Sequence, residues 1–122
     1  MKKHTENCVK FCSKMLKWKE VSGMSQPRTY TACSVFEGRI VVSGGFNING
    51  SLRTVEVYDH IADTWSKMPN MVKDKFGHKS VAVKNKLFVV GGINTISFEV
   101  FDSHTDKFTL LKEPQLGFRK KY

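Results

Sequence analysis

The stretch Ile40-Val41-Val42-Ser43-Gly44-Gly45 returns as Leu87-Phe88-Val89-Val90-Gly91-Gly92, an apolar run closed by two glycines. The copies lie 47 residues apart, and Trp18 and Trp65 are separated by the same interval. One period shared by two unrelated residue types marks an internal repeat. Units of about 40–50 residues are propeller blades or solenoid units. Function must therefore be read from a repeat scaffold.

Outward from the glycines the match continues. Val55-Glu56-Val57-Tyr58-Asp59, followed by Asp63-Thr64-Trp65-Ser66, reappears as Phe98-Glu99-Val100-Phe101-Asp102, followed by Asp106-Lys107-Phe108-Thr109. Seven residues separate Tyr58 from Trp65 and Phe101 from Phe108, and again Phe11 from Trp18. The N-terminal segment thus reads as the back half of an earlier unit. The expected division is a partial blade with a basic N-terminal segment at 1–21, repeats at 22–71 and 72–112, and a basic tail at 113–122.

Each unit carries the pattern of four short strands. Thr31–Phe36 and Lys79–Val83 are β-rich, and each precedes a turn, Glu37-Gly38-Arg39 or Lys84-Asn85-Lys86. Gly and Asn suit the left-handed positions of such hairpins. The run ending in Gly-Gly reads as a strand buried on both faces. Arg53–Tyr58 and Ile96–Phe101 alternate strictly, and Thr64–Met68 and Lys107–Leu111 supply the fourth strands. Lys10–Lys19 passes as a helix in isolation, but its register with the later copies predicts a strand pair. The expected fold is all-β: four-stranded antiparallel sheets stacked as propeller blades in an incomplete ring. Two and a half units leave inter-blade faces uncovered, which predicts a fragment or one part of an assembled ring.

Composition is that of a globular chain, and no apolar stretch approaches the roughly 18 residues of a membrane span. Three cysteines, Cys8, Cys12 and Cys33, form no disulfide framework and no zinc spacing, which predicts free thiols and a cytoplasmic location. The net charge of +9 is concentrated at the ends: +4 over residues 1–20 and +3 over 112–122. The repeat body keeps only +2, too little for the basic face that nucleic acid wants. His4, His60, His78 and His104 are scattered, and no nucleophile–base–acid set or phosphate-cradling loop assembles around them. No catalytic residue, cofactor site or metal site is expected.

Gly44-Gly45, Tyr58 and Trp65, then Gly91-Gly92, Phe101 and Phe108, together with linkers Met24–Arg28 and Met68–Met71, resemble the kelch repeat over residues 8–111. The alternative four-stranded repeat, WD40, wants Gly-His and Trp-Asp pairs that are absent here. The wording Val-Glu-Val-Tyr-Asp is especially similar to the kelch-like group. The resemblance implies blades with the Tyr58 and Trp65 rings between them, and a protein-binding module, not an enzyme. It further implies the substrate-recognition part of a cullin-RING ubiquitin ligase adaptor, with the cullin reached through a BTB region not found in these residues. Actin binding is the alternative.

By the same resemblance, partners are met on a rim of loops 26–30, 46–52, 74–78 and 93–95. There Arg28 and Lys75 are expected to attract an acidic peptide, and Tyr30 and Phe46 to act as apolar anchors. Asn47, Asn49, Ser51 and Asn94 offer donors and acceptors, and His78 stands at a strand entrance. The competing reading is structural: Arg28 pins a linker, and the asparagines satisfy loop backbone.

Overall fold

The computed structural model describes residues 8–12, 17–21 and 23–111, the first two stretches by their backbone. The described residues hold twelve strands and no helix. Two four-stranded antiparallel sheets dominate. The first orders β3 (Ala32–Phe36), β4 (Arg39–Ser43), β7 (Val55–Asp59) and β8 (Thr64–Met68), and the second β9 (Lys79–Val83), β10 (Lys86–Val90), β11 (Phe98–Asp102) and β12 (Lys107–Leu110). Each sheet is a meander, interrupted in the first only by a short hairpin over residues 46–51 between β4 and β7, the arrangement of a propeller blade.

Towards the N-terminus β1 (Cys8–Cys12) pairs antiparallel with β2 (Lys17–Val21), and Phe11 is in register with Trp18. Tyr58 pairs with Trp65 and Phe101 with Phe108 in the same way. The seven-residue spacing is thus a cross-strand aromatic pair seen three times. Of the stretch Lys10–Lys19, the described residues 10–12 and 17–19 lie in a strand pair and not in a helix.

The β3–β4 and β9–β10 hairpins turn within the expected stretches, and Gly38 takes a left-handed position as expected, but in the second blade Lys84 and not Asn85 does so. Glu37 (φ 51°) precedes Gly38 (φ 78°), and Lys84 (φ 55°) takes the corresponding place in the second blade. The hairpin geometry demands this twist and overrides the residues' own preferences. In the β7–β8 and β11–β12 hairpins, Asp63 and Asp106 adopt φ 54° and 57°. Asp59 accepts the Ile61 and Ala62 amides, and Asp102 accepts that of His104. These backbone donors hold both carboxyls below the usual carboxylate range.

Third strands start later than the alternation suggested. Gly44 donates its amide to Thr54 O and Gly91 to Ser97 O, so the residues before β7 and β11 close a loop against the glycines. That loop in the first blade contains a further small hairpin, β5 (Phe46–Asn47) with β6 (Gly50–Ser51).

One core lies between the blades. Phe36, Val41, Val55 and Met71 meet Leu87, Val89, Phe101 and Phe108, and the Phe36 ring meets that of Phe101 edge-on at 5.9 Å. Each such side chain removed from water contributes about 1.5–3 kcal/mol. Backbone stitches the same seam. Gly45 donates to Lys75 O at 2.8 Å, Lys75 to Leu52 O, Met71 to Arg53 O and Gly77 to Tyr30 O. This is why Gly44 is glycine: at φ 62°, a Cβ there would collide with the Lys75 carbonyl oxygen.

Candidate partner-binding rim

Antiparallel pairing puts the β3–β4 turn and the β7–β8 hairpin at one end of the blade. The loop 44–54 and the linkers 23–31 and 69–78 lie at the other end. This second end is the rim on which the candidate residues converge.

Four of them do not face outward. Arg28, Lys75, Asn47 and His78 are buried. The Arg28 guanidinium lies 3.0 Å from the Glu56 carboxylate and also donates to Gly44 O and Thr54 O. The Lys75 ammonium lies 3.0 Å from Glu99 and donates to Ser97 Oγ. Each glutamate also grips the linker entering its own blade: Glu56 accepts the Ser25 amide and hydroxyl, and Glu99 accepts the Val72 and Lys73 amides. Arg28 and Lys75 therefore offer no charge to an acidic peptide. A buried cation must be paired, and each is consumed by a glutamate in the strand beside it.

Asn47 ties the small hairpin down, donating to Pro27 O at 2.9 Å and accepting the Asn49 amide. His78 Nε2 bonds Ser43 Oγ at 2.9 Å across the blades. Burial, reinforced by the Lys75 charge, lowers its pKa to about 4, so the ring is neutral at pH 7.

The remaining candidates stay at the surface. Asn94 bridges loops, donating to Ser51 Oγ and the Asp74 carboxylate while accepting the Phe76 amide. Asn49 is exposed and Ser51 partly so. Tyr30 is 64% exposed and Phe46 37%. Between them lies Phe76, which was not among the candidates. Its ring is 5.1 Å from that of Phe46 and 6.4 Å from that of Tyr30. One repeat after Thr29, the position carries an aromatic where its counterpart carries a hydroxyl. That asymmetry was the available signal.

Of the structural glycines and aromatics, Gly44, Phe101 and Phe108 sit where the two blades meet. Gly92 approaches Phe76 O as Gly45 approaches Thr29 O, and Phe101 with Phe108 enters the inter-blade core. Tyr58 is buried against Trp65, with ring centroids 5.1 Å apart, and its hydroxyl donates to Asp63 at 2.6 Å. At the opposite end a cleft of about 320 Å³ opens between the blades, floored by Phe36, Val57, Met68 and Phe101 and edged by Arg39 and Asp106. No group of three His, Cys, Asp or Glu side chains that could hold a metal occurs among the described residues.

The kelch motif is matched at residues 27–72 and again at 75–115, together most of the chain. The chain belongs to the kelch-repeat family. It is 32% identical over 104 residues to an F-box/kelch-repeat protein of Arabidopsis thaliana, covering 80% of this chain and 27% of that protein. It is 38% identical over 84 residues to the spermatocyte protein spe-26 of Caenorhabditis elegans, covering 69% of this chain and 15% of the other. Kelch-like protein 41a of Danio rerio is 32% identical over 79 residues, 65% of this chain and 13% of that one. The kelch chain thus spans about a quarter or less of these relatives' lengths. The solved structure of YjhT shares its fold, with a TM-score of 0.70 at 18% identity over 81% of this chain and 41% of that one. The described kelch blades are those of a β-propeller whose ring they do not close. Kelch repeats are in general non-enzymatic modules for protein–protein interaction.

Proposed function

We propose that this chain is the partner-recognition part of a kelch protein and grips a protein through the rim of loops 26–30, 44–54, 72–78 and 91–97. The observation that carries this reading is the meeting of Tyr30, Phe46 and Phe76 there, aromatics from both blades left in contact with water. Exposed, clustered aromatics are the usual anchors of protein interfaces. The kelch-like wording of the third strands and the kelch-like and F-box/kelch relatives support a role as substrate adaptor of a ubiquitin ligase.

Affinity capture with the full chain tests this reading, with Phe46→Ala and Arg39→Ala run beside it. Recovery of a polypeptide that Phe46→Ala loses and Arg39→Ala keeps supports the rim. A recovered protein whose turnover depends on a cullin-RING ligase supports the adaptor role, whereas actin alone replaces it with the cytoskeletal one. Loss of binding with Arg39→Ala but not Phe46→Ala overturns the rim assignment.

A further inference from the structure

The two linkers run 47 residues apart in the same register, and at one position they place opposite residue types on the same backbone shape. Gly77 holds φ 70°, a backbone shape that glycine adopts without cost. One period earlier the same shape, φ 56°, is imposed on Tyr30. A bulky residue in the left-handed region is an outlier that the surroundings must enforce. Here the Tyr30 carbonyl is fixed by the Gly77 amide at 2.8 Å, and the flanking Thr29 is locked to Phe46 by two backbone bonds. The ring gains little burial in return, because Tyr30 is 64% exposed. Folding therefore gives no reason to place a tyrosine where the sister repeat has glycine.

The ring's surroundings define what it could meet. Tyr30 reaches Phe76, Phe76 reaches Phe46, and Ile93 sits over Gly77, whose added Cβ would lie 2.8 Å from the isoleucine side chain. Ile93 is 69% exposed, and Ile48, at the tip of the small hairpin, 90%. Of the charges that the linkers carry beside this cluster, Arg28 and Lys75 are buried on Glu56 and Glu99, and the exposed Lys73 and Asp74 are adjacent and of opposite sign. An apolar surface flanked by linker charges that sum to zero is complementary to an uncharged partner segment.

Resting on the rim reading above, we infer that Tyr30, Phe46, Phe76 and Ile93 form an apolar anchor site for an uncharged polypeptide segment that presents an aromatic or branched aliphatic side chain. Tyr30 is a specificity-determining residue of that site, held in a strained backbone so that its ring projects from the rim.

The test is a selection of random twelve-residue displayed peptides on the full chain, followed by titration of the enriched peptides. Expected are sequences sharing an aromatic or aliphatic residue in an uncharged stretch, whose affinity changes less than about threefold between 0.05 and 0.5 M NaCl. Tyr30→Gly and Phe76→Ala each weaken binding at least tenfold. Tyr30→Gly installs the sister repeat's residue, so its fold is kept, and circular dichroism verifies this. Acidic, salt-sensitive peptides, or peptides indifferent to Tyr30→Gly, overturn the apolar anchor and leave the rim reading standing. Peptides lost with Arg39→Ala, or the absence of any enriched peptide, overturn both.

Discussion

Lys75 and Glu99 are fully buried with ammonium and carboxylate 3.0 Å apart, and Arg28 and Glu56 repeat the arrangement one blade earlier. In each blade the third strand supplies the acid, and the linker that enters the blade supplies the base. The pair fastens the linker to its sheet. Lys75 O also receives the Gly45 amide, so the second pair sits on the seam between blades.

Breaking one of these pairs strands a charge in the interior. Lys75→Met is expected to destabilise by about 3–5 kcal/mol, as does loss of one partner from other buried pairs. Lys75→Met with Glu99→Gln should recover part of that loss, since no ion is left and Gln keeps an oxygen for the linker amides. Urea denaturation of the two variants checks the order.

Gly44 and Gly91 separate backbone strain from close approach. Both hold positive φ, but a Cβ at Gly44 meets the Lys75 carbonyl and His78, whereas at Gly91 nothing lies within 4 Å among the described residues. Gly91→Ala should cost about 1–2 kcal/mol, the conformational part alone. Gly44→Ala should cost more, because the second blade must shift. Equal losses in denaturant titrations would contradict this account of the seam.

His78 makes stability depend on pH in a defined window. Its folded pKa is lowered to about 4 from 6.5, so the unfolded chain binds the proton first as pH falls. Its effect is absent above about pH 7, and stability declines as pH falls from about 6.5 towards 4. The capping carboxylates of Asp59 and Asp102 add their loss at still lower pH, through their depressed folded values. Thermal unfolding across pH 7 to 4.5 should show a falling Tm for the native chain and a flatter profile for His78→Asn.

Tyr30→Gly should leave stability within about 1 kcal/mol of the native chain. Relief of left-handed strain is offset by a freer unfolded chain and by the lost contact with Phe76. A loss of several kcal/mol in chemical denaturation would mean that the ring is structural.

Much of the fold was legible because the repeat wrote it twice. Strands β7 and β11 alternate, the Gly-Gly steps recur, and the seven-residue aromatic spacing marks the outer strand pair even in the partial blade. The small hairpin at 46–51 was not legible, since two-residue strands carry no period. The fate of Arg28 and Lys75 was written but misread. Glu56 and Glu99 stand inside otherwise apolar strands, and a buried acid that recurs with the repeat demands a base that recurs with it. The linker cations satisfy that demand. The resemblance put both cations on the partner-facing rim, in linkers of the kind that usually lie in water.

The central claim is that partners meet the Tyr30–Phe46–Phe76 end of the blades. Benzoylphenylalanine placed at Phe46 and, separately, at Ile61 in the exposed β7–β8 hairpin tests it directly, by photo-crosslinking to a bound partner. The account predicts a crosslinked adduct from position 46 and none from position 61. An adduct from position 61 alone would contradict it.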